Sequence, residues 1–167
     1  MSLSQGSRCL SCQHGHDLEV LLPHLAAVVV DRIEPAGTLL CIRACARASS
    51  AVCPVCGRSS RRVHSRYERR LADAAIGGRR VVIRLQVRRL FCDDPGCAKT
   101  TFAEQVPGLT ARYARKTALL VGVLRDIAVA LAGRASARLA RSLHATASRP
   151  TLLRLVMAIP DPAAPAP

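Results

Sequence analysis

The chain has 167 residues, with 25 basic against 11 acidic side chains and a formal net charge of +14. Half of the residues are hydrophobic, many of them Ala, there is no Trp, and the aromatics are Tyr67, Phe91, Phe102 and Tyr113. This composition argues against a large apolar core. No apolar run approaches the roughly 18 residues of a membrane span, and the N-terminus lacks the basic and apolar regions of a secretory signal.

So large a positive charge, carried almost wholly by Arg, points to a polyanionic partner. Nucleic acid leads and a membrane surface follows, although a GC-rich genome would also enrich Ala and Arg. The expected location is the cytoplasm, associated with the nucleoid, where thiols stay reduced and open to metal.

In chain order, residues 1–18 read as a disordered leader. It contains Cys9, Cys12, His14 and His16, a second ligand set on paper, with no flanking periodic segment to hold it rigid. Residues 19–52 are expected to form an N-terminal hairpin. Val28–Ile33 is β-branched, Glu34-Pro35-Ala36-Gly37 is a turn signal, and Leu39–Arg47 is a second strand. Cys41 and Cys45 on that strand would lie about 13 Å apart, too far to share one metal ion. They read as small buried hydrophobes.

Residues 53–104 hold the chemistry. Cys53-Pro54-Val55-Cys56-Gly57 and Cys92-Asp93-Asp94-Pro95-Gly96-Cys97 are two Pro/Gly-bearing turns, each able to aim two thiolates at one point. Together Cys53, Cys56, Cys92 and Cys97 suit the closed tetrahedral geometry of structural Zn2+. Two disulfides, or four unrelated thiols, are the alternatives. Structural zinc is worth about 10–16 kcal/mol of apparent binding free energy in finger peptides, comparable with the stability of a whole domain.

Between the pairs lies a basic hairpin with a turn at Gly77-Gly78. Val81, Ile83, Leu85 and Val87 alternate with Arg84, Gln86 and Arg88, the pattern of a half-buried strand with a cationic outer face. Such a hairpin returns the chain from the first cysteine pair to the second. Arg61, Arg62, Arg66, Arg84 and Arg88 are the candidate phosphate contacts here; a solvated sheet face is the plainer reading. His64 reads as a surface or DNA-contacting residue, since four thiolates already fill the metal shell.

Residues 98–112 form a connector, from which Phe102 is expected to pack beside the metal knuckle. Residues 111–159 turn helical. Leu120, Val123, Leu124, Ile127 and Leu131 keep the spacing of a buried face, and Gly133 ends that helix. Ser136–Leu143 is a short second helix with Leu139 and Leu143 inward and Arg138 and Arg141 outward. Ser148 caps a third, with Pro150 in its first turn. This order predicts a helix-turn-helix, with Ser148, Arg149, Thr151 and Arg154 reading the major groove. A generic three-helix bundle would show the same pattern. Residues 160–167 are a Pro-rich tail.

The fold class expected is α+β, a small antiparallel β zinc-finger module followed by a three-helix helix-turn-helix module. The combination of Cys53-Pro54-Val55-Cys56-Gly57, Val63-His64-Ser65-Arg66-Tyr67, Arg70-Leu71-Ala72-Asp73, Val87-Arg88-Arg89-Leu90-Phe91-Cys92, Cys97 and Thr101-Phe102-Ala103-Glu104 resembles the N-terminal region of ISL-three-type insertion-sequence transposases over residues 20–160. The resemblance implies zinc on the four cysteines and double-stranded DNA, the element's terminal inverted repeats, as partner. In that family a catalytic RNase H-like domain with three metal-binding acids follows. Beyond Cys97 this chain has as acids Glu104, Asp126 and Asp161.

The expected function is therefore a truncated, non-catalytic, DNA-binding part of a transposase, with intact transposase or a second copy as protein partner and no membrane partner. A stand-alone zinc-dependent regulator or an inhibitor of transposition is the alternative, and a subunit whose catalytic half comes from another reading frame is a third.

Overall fold

A computed structural model describes residues 18–131 and 133–160. The cluster of Cys9, Cys12, His14 and His16 and the tail from 161 lie outside the described residues. The strands are β1 (Val28–Ala36), β2 (Leu39–Ala46), β3 (Ala51–Val52), β4 (Ser59–Ser60), β5 (Val63–Ile76), β6 (Arg79–Phe91) and β7 (Thr101–Ala103). They are followed by α1 (Ala118–Ala130), α2 (Arg134–Ser142) and α3 (Arg149–Met157).

The main sheet has five strands in the order β1-β2-β6-β5, with β7 added to β6. Both predicted hairpins form: β1 pairs antiparallel with β2, and β5 with β6. Gly37 (φ 59°) makes the first turn, so Pro35 falls inside β1. It is tolerated there because β1 is an edge strand and Pro lacks an N–H to donate. The two hairpins are joined by a parallel pairing, Leu39 opposite Arg80 through Cys45 opposite Gln86. Farther along the same edge of β6, β7 takes over, with Phe102 opposite Leu90.

The alternation of β6 sorts the sheet into two faces. Val81, Ile83, Leu85 and Val87 are buried with Leu71, Ile42, Ala44, Leu25, Val28, Val106 and Leu109 in the principal core. The opposite face carries Arg84, Gln86 and Arg88. Cys41 and Cys45 share that second face with exposed Arg43, because Ile42 and Ala44 are the core residues of β2. The expectation that these two cysteines are buried is therefore corrected: both are partly exposed.

A larger correction concerns the fold class. The chain does not form a small antiparallel zinc-finger module followed by a three-helix helix-turn-helix. It is β-rich, with one mixed sheet and no clear helix-turn-helix module. The helices arise near the predicted positions, yet they do not stand apart from the sheet. Ala72 of β5 packs against their core of Leu120, Leu124, Ile127, Ala140, Ala145 and Leu152. The inner face of α2 is Ser136 and Ala140, whereas Leu139 and Leu143, expected inward, are 38% and 48% exposed. Short side chains therefore meet the neighbouring helices where a helix-turn-helix would be held by leucines.

One buried polar knot ties the helices to the sheet. Asp73, 3% exposed, takes a hydrogen bond from the Thr117 hydroxyl at 2.5 Å and meets His24 Nε2 at 2.7 Å. Thr117 is in turn the N-cap of α1, accepting from the Leu120 N–H at 3.2 Å. Alongside, the Ala72 N–H donates to the Arg115 carbonyl and the Thr117 N–H to the Ala72 carbonyl, at 2.9 and 3.0 Å. The free edge of β5 is thus covered where the helical segment begins.

Replacing Asp73 with Ala leaves the Thr117 hydroxyl and His24 without their acceptor. It is expected to cost about 1–3 kcal/mol, seen as a lower urea midpoint at unchanged slope. An unchanged midpoint would show that this knot does not hold the helices.

Candidate functional site

The first cysteine pair sits on a knuckle built by β3 and β4, which pair Ala51 with Ser60 and Val52 with Ser59. The Gly57 N–H donates to the Cys53 carbonyl at 3.0 Å, and the Cys53 N–H to the Arg58 carbonyl at 2.9 Å. That tight return needs φ 74° at Gly57, which glycine adopts without a Cβ clash. The second knuckle is held by Asp94, whose carboxylate accepts from the Gly96 N–H at 3.1 Å and whose carbonyl accepts from the Cys97 N–H at 3.2 Å. The Lys99 N–H points at the Cys97 sulfur at 3.4 Å.

The β5–β6 hairpin brings the knuckles together, pairing Val63 with Leu90. Cys53 and Cys97 Sγ are 3.9 Å apart, Cys56 and Cys92 Sγ 3.5 Å, and all four sulfurs lie within 4.8 Å of one another. A tetrahedron with metal–sulfur bonds of 2.3 Å has edges of about 3.8 Å, so the cluster fits a four-coordinate ion. The separations far exceed the roughly 2.05 Å of a disulfide, and all four cysteines are free. This removes the alternatives of two disulfides or four scattered thiols. Among the described residues no other group of three or more metal-ligating side chains gathers in this way.

The thiols differ in acidity. Backbone N–H groups of Cys56 and Val55 aimed at Cys53 lower its pKa to about 7. At Cys92 the Asp94 N–H works the same way, but burial and the neighbouring thiols outweigh it and push the pKa up to about 12. Cys56 is also raised: the Arg58 N–H opposes the shift, while burial and contact with Cys53 and Cys97 drive it. One thiolate forms readily, and each further negative charge is resisted by those beside it. A divalent cation relieves that repulsion.

The apolar support is slight. Cys53, Leu90 and Phe102 are buried together, with Ala51, Cys92 and Cys97 against them. Phe102 lies beside the knuckles as its position in the connector predicted. Leu90 has the opposite parity to Val87, so this small core sits on the other face of the sheet from the principal one.

Residues 49–99 match the family model of the zinc-finger of transposase IS204/IS1001/IS1096/IS1165. The match takes in both knuckles and the basic hairpin, and it supports an ISL-three-type transposase N-terminal region. Neither the curated proteins nor the solved structures contain a match to the chain.

The arginines expected to meet phosphate divide into two sets. Arg62 pairs with Asp93 at 3.0 Å and stacks over Phe91, its guanidinium carbon 5.2 Å from the ring centre. Arg84 pairs with Glu68 at 2.8 Å, which also takes Arg70, and both hold the Glu68 carboxyl below its usual range. Arg88 is bound to Glu104 at 2.5 Å and to the carbonyls of Ser49 and Ala48, with little of either charged side chain exposed. Among the described residues, Arg61, Arg66, Arg138, Arg141, Arg149 and Arg154 have no carboxylate partner. The base-reading role expected of Ser148, Arg149, Thr151 and Arg154 depended on the helix-turn-helix. In the structure Ser148 caps α3, accepting from the Thr151 N–H at 3.4 Å, while Arg149 and Arg154 are exposed. His64 is exposed and packs edge-on against Phe91 at 4.9 Å.

The raised pKa values of Cys56 and Cys92 mean that metal binding at pH 7 displaces at least two protons. Calorimetric titration with Zn2+ in buffers of different ionisation enthalpy is expected to return that number, with affinity falling as pH drops below 7. Proton release below two would contradict four-thiolate ligation. Chelation is expected to speed amide exchange in 51–60 and 92–103 while the centre of β6 stays protected, because the two cores lie on opposite faces. Uniform loss of protection would show that they unfold as one.

Proposed function

We propose that the chain is the zinc-binding, DNA-binding N-terminal part of a transposase, which recognises the terminal inverted repeats of its element. The observation that carries this reading is the set of four cysteine sulfurs within 4.8 Å, inside the segment that matches a transposase zinc-finger. Zn2+ is the ion these ligands suit best, since thiolates alone in tetrahedral array favour it. It would be held by Cys53, Cys56, Cys92 and Cys97, and its part is structural: four thiolates close the shell and leave no open position.

DNA as partner follows from charge. The net charge of +14 is what remains after all 11 acids are set against the 25 basic residues. Arg61, Arg66, Arg138, Arg141, Arg149 and Arg154 are exposed, without carboxylate partners among the described residues. They are the phosphate-contacting candidates, while Arg62, Arg84 and Arg88 serve mainly to hold the hairpin and knuckles. The reading assigns binding and no chemical step. Glu34, Glu68, Asp93 and Glu104 are each engaged by arginine, and Asp73 is buried against Thr117 and His24.

The test is binding of the zinc-loaded chain to labelled duplexes carrying the terminal repeat or a scrambled version, across a salt series. Repeat DNA is expected to bind more tightly, with affinity falling linearly in log–log coordinates as salt rises. Arg66→Ala is expected to weaken both duplexes similarly and shallow the slope by about one; Arg88→Ala is expected to lower stability. Equal affinity for the two duplexes would refute repeat recognition, and no binding would refute the DNA-binding reading.

A further inference from the structure

An open groove of about 1680 Å³ is lined by parts of β5, β6 and β7, the first cysteine knuckle and the connector that follows β7. It is larger than the roughly 300–1,000 Å³ that encloses a small molecule, so it suits an extended ligand. Its lining includes Val52, Pro54 and Val55 of the knuckle, Tyr67, Arg89 and Ala103 of the strands, and Arg112–Arg115; Glu68 and Glu104 also line it, each held by arginine. Among the described residues, Arg89, Lys99, Arg112 and Arg115 are exposed and have no carboxylate partner.

The groove also holds both tyrosines of the chain. Tyr67 is 42% exposed and Tyr113 81%. Tyr113 is held at φ 62°, the left-handed region disfavoured for a residue with a Cβ. Its ring is not loose: the Arg112 guanidinium carbon stands 4.7 Å from the ring centre, and Nη2 donates to the phenol oxygen at 2.7 Å. Arg69 fixes the backbone on both sides, donating to the carbonyls of Ala111 and Ala114. A strained, braced loop thus presents a large, mostly exposed aromatic ring backed by a cation.

We propose that this groove is a seat for unpaired, single-stranded DNA, with Arg89, Lys99, Arg112 and Arg115 along its phosphates and bases stacked on Tyr113 and Tyr67. Bases within a duplex already stack on one another and have no face to give. An unpaired base does, and stacking on aromatics in a cationic groove is how sequence-tolerant single-strand sites work. The assignment rests on the nucleic-acid reading above, narrows it, and places the site on residues distinct from the arginines named there.

The experiment uses the zinc-loaded full chain with a labelled thymidine 20-mer and a duplex of the same length, followed by anisotropy. Tyr113→Ala is expected to weaken single-strand binding about tenfold and to change duplex binding less than twofold; Tyr113→Phe, which keeps the ring, is expected to retain both. Because the chain has no Trp, tyrosine emission reports the contact directly. In a Tyr67→Phe background, the oligomer is expected to quench the emission of Tyr113. Duplex binding without single-strand binding, an equal effect of Tyr113→Ala on both ligands, or unquenched emission would overturn the groove assignment and leave the DNA-binding reading standing. Failure of both ligands to bind would overturn both.

Discussion

The antiparallel register of β5 on β6 is the constraint on which the rest of the molecule hangs. Val63 opposite Leu90 at one end brings two cysteine pairs far apart in sequence to one point. Farther along, Leu71 opposite Ile83 sets the principal core on one face, and Asp73 opposite Val81 places the acid that anchors α1. A slip of one residue would turn every side chain of one strand to the other face. It would bury arginines, expose Leu71 and part the metal ligands together. The deep burial of Leu71, Ile83, Leu85 and Val87 guards against that slip.

Around this hairpin the described residues divide their apolar side chains among three cores, and none is large for its task. The knuckles have the least, three buried residues, and there ligation replaces packing. The helices are tied to the sheet by Asp73, and the connector by the Arg88–Glu104 pair. Glu104 accepts from the Arg88 backbone N–H at 2.7 Å and from its guanidinium, whose remaining donors reach the carbonyls of Ala48 and Ser49. A buried ion pair so fully bonded contributes position more than stability, since desolvation offsets much of its attraction.

What was legible from residue order was what depends on neighbours in sequence. The turns at Gly37 and Gly77-Gly78, the alternation of β6, the Ser148 cap, and the pairing of knuckles with Phe102 beside them follow from local chemistry. The parallel seam between β2 and β6 was not legible, because Leu39 and Arg80 carry no mark of their pairing. Without it, residue order alone reads Cys41 and Cys45 as buried and leaves two separate hairpins. The role of Arg88 was obscured by its position in a cationic stripe, since its partner Glu104 lies in the connector. Helix content was visible from spacing, but spacing does not distinguish leucines that face inward from ones that face out, as at Leu139 and Leu143. The one available pointer to the groove, two isolated tyrosines among arginines, carried no positional meaning until the fold placed them together.

The parallel seam also sets an order of events as the chain is made. The β1–β2 hairpin leaves the ribosome complete, yet the outer edge of β2 has no partner until the whole of β5, the turn and β6 have followed. For that interval its N–H and C=O groups, flanked by Leu39, Leu40 and Ile42, are an open template for pairing with another chain. Pro35 blunts only the opposite edge. Closing that seam across a long loop is a non-local contact, the kind whose loop-closure entropy slows folding. A nascent chain of this protein is most at risk of sticking to a neighbour before β6 arrives.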